Sequence, residues 1–263
     1  MRGAKDILPL LLAAMAFVLA AAVAAWLFFH AGGRPPTTVG SVAADMPQAE
    51  FERRLRATLL DHPEIIAEAV QKLEARQQAV EQTETKEVLK TRSNEILRDP
   101  ATPIGGNPDG DVSLVEFFDY NCPYCRQVAP PMMKAQENDP NLRIVYKEFP
   151  ILGPNSRFAA KAALAAHRQG KYVAFHQALM QAKGVVDEAR VLATAATVGL
   201  DADRLKADME DRAIQAAIDR NLELARALRI DGTPGFVIGE QISRGAIDLD
   251  TMEGLIRQAR GKK

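Results

Sequence analysis

Cysteine is almost absent. The 263 residues hold two, both inside "DYNCPYCRQ", Asp119 to Gln127, with two residues between them. Two sulfurs are too few for a disulfide-stapled scaffold, and a chain of this length buries a core that needs no staple. Histidine is also scarce, at four residues. Tetrahedral zinc needs four ligands, and His167 and His176 stand too far along the chain to be paired with the cysteines from spacing. Their expected places are helix surfaces or polar contacts. An excess of one charge is missing as well: 33 Lys and Arg against 34 Asp and Glu leave a net charge of −1. That excludes a global polyanion-binding surface, and nothing points to nucleic acid. There is no internal repeat and no low-complexity tract.

One long apolar run is present, and it lies at the N-terminus. Leu8 to Phe29, "LPLLLAAMAFVLAAAVAAWLFF", is 22 residues without a charge, behind Arg2 and Lys5. About 20 apolar residues cross a bilayer core, so residues 1–33 read as a transmembrane signal anchor. The alternative is a cleaved signal, for which "AVA" at Ala22–Ala24 offers a small-x-small site. The flanking positive charges hold the N-terminus in the cytoplasm and send the rest of the chain across the membrane. Both readings place the main domain in the cell envelope facing the periplasm, anchored in the inner membrane or released from it.

Residues 34–46, rich in Gly, Pro and small polar residues, read as a linker. Residues 47–100 read as helical. "DHPEIIAEAVQKLEARQQAV" offers Asp61 as an N-cap, Pro63 in the first turn and Glu64 three residues after the cap. Leu59, Ile66, Leu73 and Val80 recur every seven residues, a stripe that suits packing against another helix, including one in a second copy of the chain. A helix lying on its own domain, or a spacer, explains the stripe as well. Leu89 and Ile96 resume it out of register.

Residues 101–263 carry the main domain. "DPATPIGGNPDGD" (Asp99–Asp111) is a breaker-rich boundary. "VSLVEFF" (Val112–Phe118) fits a strand buried on both faces, and a helix through "RQVAPPMMKAQEN" follows, kinked by Pro130 and Pro131. "LRIVYKEF" (Leu142–Phe149) is a second strand. A helical block spans about 154–230, then strands return at "GFVIG" (Gly235–Gly239) and near "QISRGA", with a last helix over about Leu249–Ala259. The expected fold is α/β, a mixed sheet with helices on its faces and a helical subdomain inserted in the middle.

The cysteines sit at a strand-to-helix turn. A helix N-terminus carries unpaired N–H groups and partial positive charge, which stabilise a thiolate. Cys122 occupies that position as an exposed nucleophile, and Cys125 lies about one turn inside, placed to resolve a mixed disulfide. Pro123 and Tyr124 shape the turn without adding charge. An inert structural disulfide closes too short a loop to restrict the unfolded chain much, and Cu(I) on the two soft thiolates is the metal-binding alternative. "DGTPGFVIG" by itself reads as a turn opening an edge strand.

Taken together, "LVEFFDYNCPYCR" and "GTPGFVIG" with a helical block between resemble the DsbA-like branch of the thioredoxin superfamily, over roughly Pro103 to Ala259. The resemblance implies a thioredoxin-like fold and a thiol–disulfide oxidoreductase, oxidase or isomerase, with no cofactor beyond the redox-active Cys122–Cys125 pair. It also implies that Pro234 is cis beside the cysteines, that the Thr233 backbone contacts substrate, and that Glu116, six residues before Cys122, assists proton transfer. The alternative for Glu116 is a strand carboxylate turned to the surface. Two positions depart from the best-known DsbA pattern. Tyr124 replaces a histidine, and Thr233 replaces a valine and is more typical of the isomerases. The N-terminal helices resemble those of the copper-sensitivity ScsC proteins, some of which oligomerise through this region and some of which bind copper. The implied partners are unfolded or misoxidised exported proteins, a membrane redox partner and further copies of the chain through residues 47–100.

Overall fold

A computed structural model describes residues 46–261. The anchor expected at residues 1–33 lies outside the described residues, and among the described residues no helix is long and apolar enough to cross a membrane. The chain divides into two units, Met1–Leu73 and Glu74–Lys263.

In the first unit, helix α1 (Gln48–Asp61) is followed by the start of α2 (Glu64–Thr91). Asp61, expected as the N-cap of the second helix, is instead the last residue of the first. The reason lies at His62: a residue before proline is driven out of the helical region, and His62 sits at φ −130, ψ 64. Its N–H still bonds back to the Thr58 carbonyl, so the break falls after Asp61. Neither helix buries a residue. Ile66, Leu73 and Val80, the residues of the seven-residue stripe on α2, are 53, 56 and 56% exposed.

The second unit takes up α2 from Glu74 and adds α3 (Ser93–Leu97), then β1 (Ile104–Gly106), β2 (Val112–Phe118), α4 (Pro123–Asn138) and β3 (Leu142–Glu148). Five helices follow: α5 (Pro154–Arg168), α6 (Tyr172–Met180), α7 (Glu188–Thr197), α8 (Ala202–Met209) and α9 (Arg212–Ala227). The chain closes with β4 (Gly235–Ile238), β5 (Gln241–Arg244) and α10 (Leu249–Gly261). The sheet order is β1-β3-β2-β4-β5. β2 and β3 are parallel, whereas β1 on β3, β4 on β2 and β5 on β4 are antiparallel. This is the mixed sheet with an inserted helical block that the element pattern implies.

β1 was not legible in the breaker-rich segment before β2. Its three residues are too few to show an alternation; it is ordered by pairing Ile104 with Val145 and Gly106 with Arg143 on the free edge of β3. α4 runs unbroken through Pro130 and Pro131, which have no N–H to offer the Arg126 and Gln127 carbonyls.

β2 reads as an apolar run because both faces of the sheet are covered. Leu114 and Phe118 face a core shared with α4, α5 and α10. Val115 and Phe117 face a smaller core with Ile96, Leu224 and Leu228. In α5 six alanines are buried, among them Ala159, Ala162 and Ala166, and small side chains let neighbouring helices pack closely. Asp187, Asp201 and Asp211 cap α7, α8 and α9 by accepting the N–H of Arg190, Arg204 and Ala213, which is why aspartates mark the breaks in the helical block.

Candidate functional site

The site grows from the end of β2. The Asp119 carboxylate accepts the N–H groups of Asn121 (2.8 Å) and Leu152 (2.9 Å), and its carbonyl accepts that of Cys122 at 3.0 Å. These bonds stop the strand and turn the chain, so that Cys122 becomes the N-cap of α4 and Pro123 its first residue. Proline suits that position because its missing N–H has no partner there in any case. The Cys122 sulfur therefore stands at the positive end of a 16-residue helix.

Across from it, the Thr233–Pro234 peptide bond is cis. The Cys122 thiol donates to the Thr233 carbonyl at 3.2 Å. Pro234 is buried and Thr233 half-buried. Gly235 must be glycine, since a Cβ there would meet Ile230 Cγ2 at 2.4 Å. Cys122 was expected to be exposed. It is 4% exposed, against 0% for Cys125, because the Thr233 carbonyl lies over its sulfur. The order of access is kept. Both cysteines are free thiols. Pro123 and Tyr124 are exposed beside them.

Glu116 is not a surface carboxylate. On β2 it pairs with Tyr146 and Phe236, is 1% exposed, and has no hydrogen-bond partner for either oxygen among the described residues. Burial pushes its pKa up to about 8. Cys125 is pushed far above the ordinary thiol range, first by burial and then by the nearby Glu116 charge. At neutral pH the inner pair is thus mostly a protonated acid beside a protonated thiol.

Sequence reasoning missed the residues that brace the turn. Asn121 donates to Ser156 Oγ and the Val186 carbonyl and accepts the Val186 N–H, and Arg126 donates to the carbonyls of Tyr120 and Gly184. Together with the Asp119–Leu152 bond they tie the loops at 150–153 and 183–187 to the cysteine turn. Those loops present Ile151, Leu152 and Val185 at 39, 51 and 61% exposure, and Tyr124 adds 61%. The only sequence signal was apolar residues stranded between breakers. His176 is buried and in contact with Tyr120, whereas the His167 ring packs edge-on to Tyr172. Neither meets the cysteines. Among the described residues no cluster of three or more His, Cys, Asp or Glu could hold a metal.

A DsbA-like thioredoxin domain matches residues 113–257. The chain belongs to the DsbA-like thioredoxin family. The N-terminal domain of the copper resistance protein ScsC matches residues 48–79. A thioredoxin-like oxidoreductase from Silicibacter pomeroyi DSS-3 is 46% identical with a TM-score of 0.63, covering 64% of this chain and 97% of that one. Proteus mirabilis ScsC, in a transitional conformation, is 32% identical with a TM-score of 0.63, covering 84% of this chain and 99% of that one. Among curated relatives, the Na(+)/H(+) antiporter NhaA 1 of Salinispora arenicola is 28% identical over 158 residues, 59% of this chain. The matched stretch is about a quarter (24%) of that antiporter's length. The similarity to this DsbA-like chain is thus confined to part of that protein.

The buried acid makes a measurable demand on stability. A carboxyl whose folded pKa is raised to about 8 stabilises the fold fully below its unfolded value of about 4.3 and loses that contribution as pH rises through 8. Glu116→Gln should remove this decline, of at most about 1.4 kcal/mol per pH unit. Urea unfolding of both chains at pH 5, 7 and 9 reads it: the variant gains relative to wild type as pH rises. Parallel profiles would contradict the assignment.

Proposed function

We propose that this chain exchanges thiols and disulfides on exported proteins, with Cys122 as the attacking sulfur and Cys125 as the resolving one. The observation that carries the reading is the Cys122 thiol at the start of α4, 3.2 Å from the Thr233 carbonyl beside cis Pro234. In the reductive direction the Cys122 thiolate attacks a client disulfide, forms a mixed disulfide and releases one client thiolate, which takes up a proton. Cys125 then loses its proton and attacks the Cys122 sulfur. The pair becomes the Cys122–Cys125 disulfide, the second client thiol leaves, and two electrons have passed to the client. Oxidation of a client is the same sequence reversed.

The proton on Cys125 is the difficult one, because its thiol is buried and strongly disfavours ionisation. Glu116, with its pKa near 8, is matched to give or take that proton at neutral pH. Thr233 and Pro234 offer the edge against which an extended client segment pairs. Pro123, Tyr124, Ile151, Leu152 and Val185 form an apolar rim suited to unfolded chains, whose apolar residues are uncovered. Arg2 and Lys5 ahead of the apolar run favour a periplasm-facing domain anchored in the inner membrane, where a membrane redox partner returns the pair to its working state.

For direction, Thr233 and the exposed stripe on α2 favour isomerisation: copies gathered through Ile66, Leu73 and Val80 would surround one client with several cysteine pairs. Light scattering of the full chain is expected to give a multimer, converted to monomer by Ile66→Glu with Leu73→Glu. A wild-type monomer would remove the argument for isomerisation. For the chemistry itself, Cys122→Ser should bring insulin reduction and the refolding of a scrambled disulfide substrate down to the uncatalysed background. Retained activity in that variant would end the proposal.

A further inference from the structure

Three helices of the second unit end in the same way. After α5, α7 and α9 the chain turns into the left-handed region at Gly170 (φ 70), Gly199 (φ 71) and Arg229 (φ 54). Each end is closed by the same pair of backbone bonds, a Schellman motif. The N–H groups of Lys171, Leu200 and Ile230 reach the carbonyls of Ala166, Ala195 and Ala225. Those of Gly170, Gly199 and Arg229 reach His167, Ala196 and Arg226. Glycine takes this position without steric cost, whereas a residue with a side chain is strained there. Arg229 is the one non-glycine residue at positive φ among the described residues. A side chain carried where the backbone favours glycine points to contacts that glycine could not make.

Those contacts are with α2. Arg229 Nη1 lies 3.2 Å from Glu81, and Nη2 donates to Glu84 Oε2 at 2.6 Å. The two glutamates are three residues apart and so share one face of the helix. Further along α2, Val88 and Leu89 pack against the small core that holds Leu228 and Ile230, the neighbours of Arg229. Ionic and apolar contacts from one helix thus fix the same stretch of chain. That stretch leads directly into the Thr233–Pro234 edge. Ile230 packs so closely on Gly235 that a Cβ there has no room. Arg244 of β5 donates to the carbonyls of Leu228 and Arg229. The next residue, Gly245, donates its N–H to the Pro234 carbonyl at 2.8 Å. The place of Arg229 is therefore passed on to Pro234 through short-range contacts.

We propose that Arg229 is a positioning residue for the exchange reaction: gripped by Glu81 and Glu84, it lets α2 hold the Thr233–Pro234 edge in place beside Cys122. This rests on thiol–disulfide exchange being the chain's activity. All three charged side chains are exposed, and a single exposed ion pair contributes little. Two carboxylates on one guanidinium make a small network. Its effect is still only a few-fold, and salt screens it.

Two variants of the full chain separate the ion pairs from the backbone. Glu81→Gln with Glu84→Gln removes the grip and leaves residue 229 untouched, whereas Arg229→Gly removes the grip and the strain together. Hydrogen exchange of the Gly245 amide, which bonds to Pro234, reads the edge without any turnover. At low salt it should quicken about 3- to 5-fold in both variants. In 1 M NaCl, where the Debye length is about 3 Å, variants and wild type should converge. The urea midpoint should be kept in the glutamine variant and not lowered by Arg229→Gly, so that a looser edge does not follow from a weaker fold. With a disulfide-bridged peptide as client, KM should rise by the same factor and kcat should hold. Arg229→Glu combined with Glu81→Arg and Glu84→Arg should restore both readouts. Gly245 exchange unchanged in the glutamine variant, or a change that persists in 1 M NaCl, would overturn the grip while leaving the exchange reading intact. A wild-type chain that exchanges no disulfide would overturn the exchange reading and with it the role of Arg229.

Discussion

The contact between the Cys122 thiol and the Thr233 carbonyl, 3.2 Å long, joins residues 111 positions apart. Everything at the site depends on it. One partner is fixed by the β2–α4 turn, which Asp119 holds through three hydrogen bonds. The other is fixed by β4, which pairs antiparallel to β2 with Phe117 opposite Gly235. The two segments therefore meet because the sheet brings the end of β2 and the start of β4 side by side, and the helical block between them is free to carry other work. The Cys122 sulfur is thus covered by a backbone carbonyl and largely shielded from solvent.

Behind the contact lies a second layer with the opposite electrostatic logic. The Cys122 sulfur stands at a helix N-terminus, while burial disfavours charge on Cys125 and on Glu116. Two sulfurs three positions apart thus have different environments. Glu116 can sit unpaired inside the sheet because its protonated form carries no charge there. Uncompensated burial of a charged carboxylate is costly.

Much of this was legible beforehand. β2, β3 and β4 stand out as short branched and aromatic runs between breakers, and the helical block is punctuated by aspartate caps. The cysteine pair announced itself by scarcity. What stayed hidden depends on tertiary partners. β1 exists because β3 has a free edge, Asp61 ends a helix because His62 precedes a proline, and Cys122 is covered because Thr233 arrives from far along the chain. The stapling roles of Asn121 and Arg126 have no sequence signal at all, since both residues read as ordinary turn and helix positions. Glu116 sat between two readings that only its neighbours on both flanking strands could separate.

The central claim is that two adjacent sulfurs differ in reactivity by virtue of where the fold puts them. Limiting iodoacetamide on the fully reduced wild-type chain, followed by peptide mass spectrometry, measures that difference directly. Label should accumulate on Cys122 with Cys125 left as a free thiol until the chain is unfolded. Equal labelling of the two, or earlier labelling of Cys125, would contradict the account.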